Sequence, residues 1–356
     1  MKSNLRMLTA LALGALLGAV GCGKAPTAVP GAAAQESNPP KAAQTAQDAP
    51  VSPTQSQPAA RTAAQLAQFH PNEAGGVPIL EYHDISPTET RWGRSAAGFR
   101  RDLERLYKEG YRPVALQEYL ANRIALPPGK SPVILTFDDA RESQFRYRPD
   151  GRLDPNCAVG ILEAFQKAHP DFRARATFYV LPDSAFGQPK FAARKMQELL
   201  AMGFEIGNHT VSHTPLKQLS DERVQAELAG CVAKVQKMAP QAKVESVALP
   251  DGIAPRNRAL LASGAYQGQR YINRAALLVG SNPAPSPVSP RFDPMRLPRI
   301  QAIEGPMGIT YWLDDLKRHP ERRYVSDGDP NTVTVPRAQA DNVDKAKLHG
   351  ATLRVY

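Results

Sequence analysis

Short apolar segments alternate with longer amphipathic stretches along the chain from Val77 onward. Short uninterrupted apolar segments indicate buried strands, and apolar residues that recur every three or four positions indicate helices with one buried face. The predicted strands are 77–82, 133–137, 176–181, 204–207, 244–249, 277–280 and 297–303. The predicted helices between them are 99–109, 158–168, 195–202, 221–238 and 258–263.

Strands that alternate with helices predict an α/β domain built on a parallel sheet. The chain has about seven predicted strands and no Gly-x-Gly-x-x-Gly turn of the dinucleotide-binding type. We therefore expect a distorted (β/α) barrel rather than an open doubly wound sheet. This domain is expected over residues 76–310. Residues 311–356 are expected to form one helix followed by a polar tail.

The first 21 residues have the pattern of an export signal. Lys2 and Arg6 precede an apolar run of 14 residues, whereas a membrane-spanning helix needs about 20. The run ends in Ala-Val-Gly-Cys, which resembles the lipobox of bacterial lipoproteins and puts the lipid on Cys22. We expect residues 1–21 to be removed and the protein to be an exported, membrane-anchored lipoprotein of the cell envelope. An ordinary secretory signal with a bystander cysteine is the alternative.

Residues 22–75 differ in composition from the domain that follows them. Positions 23–75 include 15 Ala and 8 Pro, their charges cancel, and Phe69 is the single aromatic residue. Such a segment buries too little apolar surface to offset its chain entropy. We expect a flexible linker that lets the domain work at some distance from the membrane.

Charge and cysteine content narrow the classes of partner. The chain has 44 basic and 34 acidic residues, a net charge of +10, which becomes +8 once the export signal is removed. This charge is compatible with nucleic acid, but the chain has no recognisable nucleic-acid-binding module and export conflicts with that partner. Cys157 and Cys231 are too few for a disulfide scaffold, and we expect two buried thiols in a monomer.

Polar residues suited to metal chemistry follow two of the predicted strands. Asp138 and Asp139 follow the second predicted strand, and His209 and His213 follow the fourth. Active sites of α/β barrels lie at the C-terminal ends of strands, so we expect these side chains to meet. Adjacent residues of a strand point to opposite sides, so both carboxylates reach one site only if the chain turns there. Two imidazoles and one carboxylate would leave open positions on a divalent ion.

Each motif also has an ordinary structural reading. An Asp pair at a strand end is often a cap or a turn, and a His-x-x-x-His spacing occurs by chance on surface helices. Two histidines four residues apart share one face only if they lie in a helical turn. The combination, with both motifs at strand ends and in this order, is more specific than either motif alone.

These motifs resemble those of the polysaccharide deacetylases, the NodB homology domain of carbohydrate esterase family 4. TFDDA at 136–140 is similar to the family motif TFDDG, with Ala140 in the place of Gly, and HTVSH at 209–213 matches the motif HTxSH. Residues 77–84 are similar to the opening strand of many members. The resemblance extends over about residues 77–303, with an Arg-rich insert at 146–156.

The resemblance implies a metal-dependent hydrolase that removes N-acetyl groups from a cell-wall or surface polysaccharide of N-acetylglucosamine-type sugars. Asp139, His209 and His213 would hold a divalent metal, zinc in the family, and Asp138 would be the general base. The ion would acidify a bound water and polarise the acetyl carbonyl. The oxyanion would then be stabilised by the metal and by a backbone N–H group.

Two family motifs are altered in this chain. RxPYG is replaced by ALPDG at 248–252, so the arginine that braces the catalytic aspartate is missing, although the backbone of Asp251 can still serve as oxyanion donor. We expect Arg299, in the last predicted strand, to reach across and brace Asp138. The LxH motif that carries the general acid is absent from 297–305. His83 is our candidate acid, a structural hydrogen bond is its equal alternative, and His349 is a weaker candidate.

The altered motifs keep a second class of function open. A catalytically impaired, glycan-binding envelope lipoprotein of the same fold would retain the barrel and the metal ligands but lack turnover. Metal binding does not separate the two hypotheses, whereas acetate release from N-acetylated glycans does.

Overall fold

The computed structural model describes residues 62–356 of the 356-residue chain. The predicted export signal, the predicted lipidation site Cys22 and the linker up to residue 61 lie outside the described residues. Among the described residues, no helix combines the length and the apolar character needed to cross a membrane.

Fourteen strands and seven α-helices make up the regular structure of the described residues. The strands are β1 (Ile79–Tyr82), β2 (Asp84–Ser86), β3 (Gly93–Ser95), β4 (Tyr111–Pro113), β5 (Ser131–Phe137), β6 (Thr177–Val180), β7 (Glu205–Asn208), β8 (Ser246–Ala248), β9 (Ser263–Tyr266), β10 (Gln269–Ile272), β11 (Ala275–Leu277), β12 (Ile300–Gln301), β13 (Thr332–Val335) and β14 (Thr352–Val355). The helices are α1 (Ala63–Phe69), α2 (Ala96–Lys108), α3 (Leu116–Leu120), α4 (Ala158–Ala168), α5 (Ala192–Ala201), α6 (Asp221–Met238) and α7 (Ile309–Arg318).

A curled parallel sheet forms the body of the domain and confirms the predicted distorted (β/α) barrel. Its seven strands run in the order β11-β8-β7-β6-β5-β1-β12, and β4 pairs in addition with β5. The segment 297–301, which contains β12, joins the two edges of the sheet. Leu297 forms a parallel bridge to Leu277 of β11, while Ile300 of β12 pairs with Leu80 of β1.

Two apolar layers hold the sheet in place. Side chains on one face of the strands fill the barrel interior, among them Ile79, Ile134 and Tyr179. Side chains on the other face, such as Tyr82 and Phe137, pack against the surrounding helices. All seven residues of β5 are buried, so this strand reads as a continuous apolar run rather than an alternating one.

Helix boundaries were predicted well where capping signals are clear. Helices α4 and α6 begin and end at the predicted residues, and the Ser220 side chain caps α6 by accepting the N–H of Arg223. The predicted helix at 258–263 is wrong. A single 3₁₀ turn lies there and is followed by the hairpin β9–β10. The hairpin forms because Gln267 and Gly268 both adopt left-handed backbone angles, as a tight two-residue turn requires.

The ends of the domain extend beyond the predicted boundaries. Residues 62–75 were predicted as linker, yet they form α1 and place Glu73 in a buried position. Glu73 accepts hydrogen bonds from Thr334 N–H at 2.8 Å and from the Tyr324 hydroxyl at 3.3 Å. Likewise, the predicted polar tail contains the parallel pair β13–β14 with Val333 and Val335 buried. Both differences from the prediction have the same cause. The segment 62–75 and the C-terminal segment with β13 and β14 bury side chains against each other.

Candidate metal and catalytic site

A sharp turn directly after β5 presents two adjacent carboxylates at the C-terminal edge of the sheet. Asp138 N–H still pairs with the Tyr82 carbonyl at 2.9 Å, as a continuing strand would. Asp139 and Ala140 then adopt left-handed backbone angles with φ of 72° and 48°. This reversal places both carboxylates on the wall of one cavity of about 180 Å³. Both acids therefore line the same cavity.

Asp139 meets the two predicted histidines in this cavity. Its Oδ1 atom lies 3.3 Å from Nε2 of His209 and 3.6 Å from Nε2 of His213. One ligand atom from each of the three residues lies within 4.8 Å of the others. Burial and the neighbouring His209 lower the pKa of His213, while Asp138 and Asp139 raise that of His209 against the lowering effect of its burial.

His209 has an unsatisfied ring nitrogen that points to a missing partner. Nδ1 of His209 lies 2.9 Å from the Ala248 carbonyl, which makes Nδ1 the protonated nitrogen and leaves the lone pair on Nε2. Nε2 is buried and has no hydrogen-bond partner among the described residues. Buried polar groups normally have a partner, and a ligating histidine normally donates its other nitrogen to a carbonyl. This geometry fits a histidine that binds a metal ion through Nε2.

The segment that carries His213 is a turn rather than the helical turn considered from the sequence. Thr210 and His213 adopt left-handed backbone angles with φ of 67° and 58°. Glu227 of α6 stabilises the turn by accepting the N–H groups of Val211 and Ser212 at 2.9 and 2.8 Å. A loop held by a buried carboxylate, rather than helical spacing, therefore brings the second imidazole to the site.

Arg141 binds the outer oxygen of Asp139. Its Nε and Nη2 atoms lie 3.1 and 3.0 Å from Oδ2, whereas Oδ1 faces the two histidines. Burial acts to raise the pKa of Asp139, but the attraction of His209, together with that of Arg141, holds it well below its usual range. Asp139 is therefore ionised and offers one oxygen to the histidine pair.

Arg299 lies fully buried behind the cavity and contacts Asp138 through both ends of its guanidinium. Nη1 donates to Oδ1 at 2.8 Å and Nη2 donates to Oδ2 at 2.7 Å. A third bond, from Nε to the Leu278 carbonyl at 2.7 Å, sets the plane of the group. Burial alone would raise the pKa of Asp138, but Arg299 and then His209 lower it below its ordinary value. Arg299 thus occupies the position expected from the sequence.

Glu81 is a member of this site that the sequence analysis missed. It lies on β1 among apolar residues, its side chain is fully buried, and its Oε1 lies 3.2 Å from Nη2 of Arg299. Burial raises the pKa of Glu81 to about 7, against the lowering effect of Arg299. A single acidic residue inside an apolar strand was the available signal, because a buried carboxylate needs a partner.

Two further residues predicted for the site, His83 and Asp251, line the cavity. His83 is mostly buried, its ring lies 4.7 Å from that of Trp92, and burial lowers its pKa. Asp251 adopts a left-handed angle with φ of 55° on the turn after β8. Trp92 is 41% exposed at the rim and was also missed. His349 is exposed in the C-terminal segment and does not line the cavity.

A second group of possible ligands does not suit a cation. Glu81, His83 and Asp138 bring ligand atoms within 4.8 Å of one another. The guanidinium of Arg299 already contacts both of these carboxylates, and a metal ion at the same place would face its positive charge. The metal candidate is therefore the set Asp139, His209 and His213.

Several known proteins are similar to this domain in sequence or in fold. Residues 125–271 match the family model described as polysaccharide deacetylase. A chitooligosaccharide deacetylase of Bradyrhizobium sp. (strain ANU 289) is 27% identical over 140 residues, which cover 39% of this chain and 54% of that protein. The chain thus matches about half the length of that curated relative.

Two solved structures show the same fold at low sequence identity. BA0330 from Bacillus anthracis, a candidate polysaccharide deacetylase, aligns with a TM-score of 0.51 and 18% identity over 67% of this chain and 68% of its own. The Streptococcus pyogenes deacetylase PplD, solved in complex with acetate, aligns with a TM-score of 0.50 and 20% identity over 67% of this chain and 97% of its own. The sequence match and the shared fold agree: residues 125–271 match the polysaccharide deacetylase family model, and the domain has the fold of these two deacetylase structures.

Proposed function

We propose that this protein is a metal-dependent hydrolase that removes N-acetyl groups from a polysaccharide of N-acetylglucosamine-type sugars. The observation that carries the proposal is the convergence of Asp139, His209 and His213 beside an ionised Asp138, with the buried Nε2 of His209 lacking a partner. The chitooligosaccharide deacetylase among the relatives supports this substrate class.

The chemistry divides between a bound ion and the side chains around it. Held by Asp139, His209 and His213, a divalent ion, zinc in our proposal, would supply Lewis acidity toward the acetyl carbonyl and toward water. Ala248 contributes by fixing the tautomer of His209. Arg141 contributes by holding the outer oxygen of Asp139, so that one oxygen remains for the ion.

Proton transfer is the task that we assign to Asp138 and His83. Asp138 is ionised and held rigidly by Arg299, so it can accept the proton of the attacking water as general base. His83 lies on the same cavity wall and is our candidate to protonate the leaving amine. Its lowered pKa means that it must gain its proton during the reaction cycle. The backbone of Asp251 is the proposed oxyanion donor.

Trp92 gives the cavity a surface that suits a sugar. The indole is 41% exposed at the rim, next to His83. Aromatic faces bury much apolar area at little entropic cost, and one face of a pyranose ring is apolar. We assign Trp92 to substrate binding beside the acetyl group.

The location of the protein is part of the proposal. The lipobox-like ending at Cys22 supports a lipid anchor on an exported protein, which would put the domain next to cell-wall or surface polysaccharide. Radiolabelled palmitate should label the native chain and fail to label Cys22→Ala. Equal labelling of both chains would contradict the anchor.

Acetate release tests the proposed reaction directly. The full chain is incubated with N-acetylglucosamine oligomers and N-acetylated polysaccharide, with metal content measured on the same samples. The native chain should release acetate, Asp138→Asn should bind metal without turnover, and His209→Ala should lose both. His349→Ala, an exposed histidine outside the cavity, is the matched control and should behave as the native chain does. Metal binding without acetate release from any glycan would favour the impaired, glycan-binding alternative.

A further inference from the structure

Glu81 is a buried acid that the proposed reaction does not use. Its side chain is fully buried in β1, between β5 and β12, and lines the floor of the cavity. The strand pairings explain why it faces the site. Glu81 is in register with Thr136 of β5 and Gln301 of β12, so it shares its face with Asp138, which lies two residues beyond Thr136.

The two carboxylate oxygens of Glu81 engage two separate elements. Oε2 accepts the backbone N–H of Gly280 at 2.9 Å, on the turn after β11. Oε1 lies 3.2 Å from Nη2 of Arg299 and 3.9 Å from Nε2 of His83. Gly280 is required at this turn, because a Cβ there would collide with the backbone carbonyl of Arg299. Glu81 therefore joins the β11 turn to the guanidinium.

The guanidinium of Arg299 is surrounded by acceptors on every side. Nε binds the Leu278 carbonyl, and Nη1 binds Asp138 and the Thr136 hydroxyl at 2.8 and 3.2 Å. Nη2 binds Asp138 at 2.7 Å and lies 3.2 Å from Oε1 of Glu81, which makes no hydrogen bond but forms an ion pair with the guanidinium. Without the negative charge of Glu81, Arg299 would lose one of the two buried carboxylates that hold it beside Asp138.

We propose that Glu81 is a positioning residue for catalysis. It holds Arg299 and the Gly280 turn in place, so that Arg299 donates hydrogen bonds to both carboxylate oxygens of Asp138. The inference rests on the proposed deacetylase function. Glu81 touches no reacting atom; it acts through Arg299 on the orientation of the general base. This chain lacks the motif arginine at Ala248, and the pair Glu81–Arg299 would supply the missing support from two other strands.

Glu81→Gln is a sharp test because it keeps the shape and removes the charge. Glutamine can still accept the Gly280 N–H with its carbonyl oxygen, but it carries no negative charge to pair with Arg299. Glu81→Asp keeps the charge on a shorter side chain. Glu205→Gln is the matched control. Glu205 also accepts two backbone N–H groups, from Leu116 at 2.8 Å and Gln117 at 3.2 Å, but it begins β7 at the opposite end of the barrel.

The measurements are kcat, KM, bound metal and melting temperature on the full chain. We expect Glu81→Gln to lower kcat at least tenfold, with KM changed less than twofold and metal content unchanged. Glu81→Asp should recover part of the lost kcat, and Glu205→Gln should keep the native kcat.

Four results would overturn the role of Glu81. They are a native kcat in Glu81→Gln, a loss of kcat that follows a loss of bound metal, equal impairment of the Asp and Gln variants, and failure of Glu81→Gln to fold where Glu205→Gln folds. Absence of acetate release by the native chain would instead contradict the proposed function.

Discussion

Arg299→Met is the perturbation that most directly tests the electrostatic design of the site. Methionine preserves much of the apolar volume of the side chain and removes the only cation that contacts both Asp138 and Glu81 among the described residues. Both carboxylates are nearly inaccessible, at 2% exposure each. Breaking a buried ion pair by removing one partner costs about 3–5 kcal/mol, because the remaining charge is left buried and unpaired.

The expected loss can be converted into a melting temperature. For a domain larger than 150 residues, 1 kcal/mol corresponds to about 2–4 °C, so Arg299→Met should melt roughly 10 °C below the native chain. The deficit should also depend on pH. Without the guanidinium, the pKa of Asp138 rises above that of the unfolded chain, and the pKa of Glu81, which burial already raises to about 7, rises further. A carboxyl with a raised folded-state pKa stabilises the fold only at low pH, so the deficit should grow between about pH 4 and 7.

Thermal and urea unfolding followed by circular dichroism would measure both effects. The triple variant Arg299→Met, Asp138→Asn, Glu81→Gln has no buried charge at this place and should regain most of the lost stability, though no activity. Arg299→Met melting within 2 °C of the native chain, or a deficit that shrinks as pH rises, would refute this account of the site.

Three further predictions concern the rim, the metal and a buried lysine. Trp92→Ala should raise KM for N-acetylglucosamine oligomers about tenfold, since an aromatic stacking surface is worth about 0.5–1.5 kcal/mol beyond its buried area; a changed kcat with constant KM would contradict its assignment to substrate binding. Chelation should lower the melting temperature and abolish acetate release, and zinc should restore both, because a ligand that binds only the folded state stabilises it; identical melting with and without chelator would argue against the site. Lys195 is fully buried, its Nζ lies 5.7–5.9 Å from the ring centroids of Phe145, Tyr147 and Phe186, and burial lowers its pKa to about 8. Because the folded chain loses this proton before the unfolded chain does, stability from Lys195 should increase between about pH 8 and 10.5, and Lys195→Met should abolish that increase in urea titrations.

Several features of the fold and the site could be predicted because they are encoded in short segments. The apolar run of β5 and the capping serine of α6 are local signals, and both elements formed where the spacing placed them. Because active sites of α/β barrels lie at the C-terminal ends of strands, the sequence also predicted that Asp138, Asp139 and the two histidines lie close together. The long-range pairing of Arg299 with Asp138 was also predicted, but from the resemblance: the family's bracing arginine is missing at Ala248, and Arg299 lies on another predicted strand.

Other features depend on contacts between distant segments. The linker was predicted to extend to residue 75 and the chain to end in a polar tail, because neither segment buries its side chains alone. In the structure Glu73 and Thr334 pair across 261 positions. The helix predicted at 258–263 is a 3₁₀ turn that leads into the hairpin β9–β10, since the turn conformation at Gln267 and Gly268 outweighs the apolar spacing that precedes it.

The pattern of residues along the chain was enough to predict the parallel barrel, the strand ends that carry the acids and imidazoles, and the metal-ligand candidates. Periodicity and turn chemistry act over a few residues, so they can be read from the chain directly. Three features became visible only in the folded chain: Nε2 of His209 lacks a hydrogen-bond partner, a turn rather than a helix carries His213, and Glu81 shares Arg299 with Asp138. Hydrogen-bond satisfaction and the energy of a buried charge depend on every group within a few ångströms, and those groups come from strands far apart in the chain.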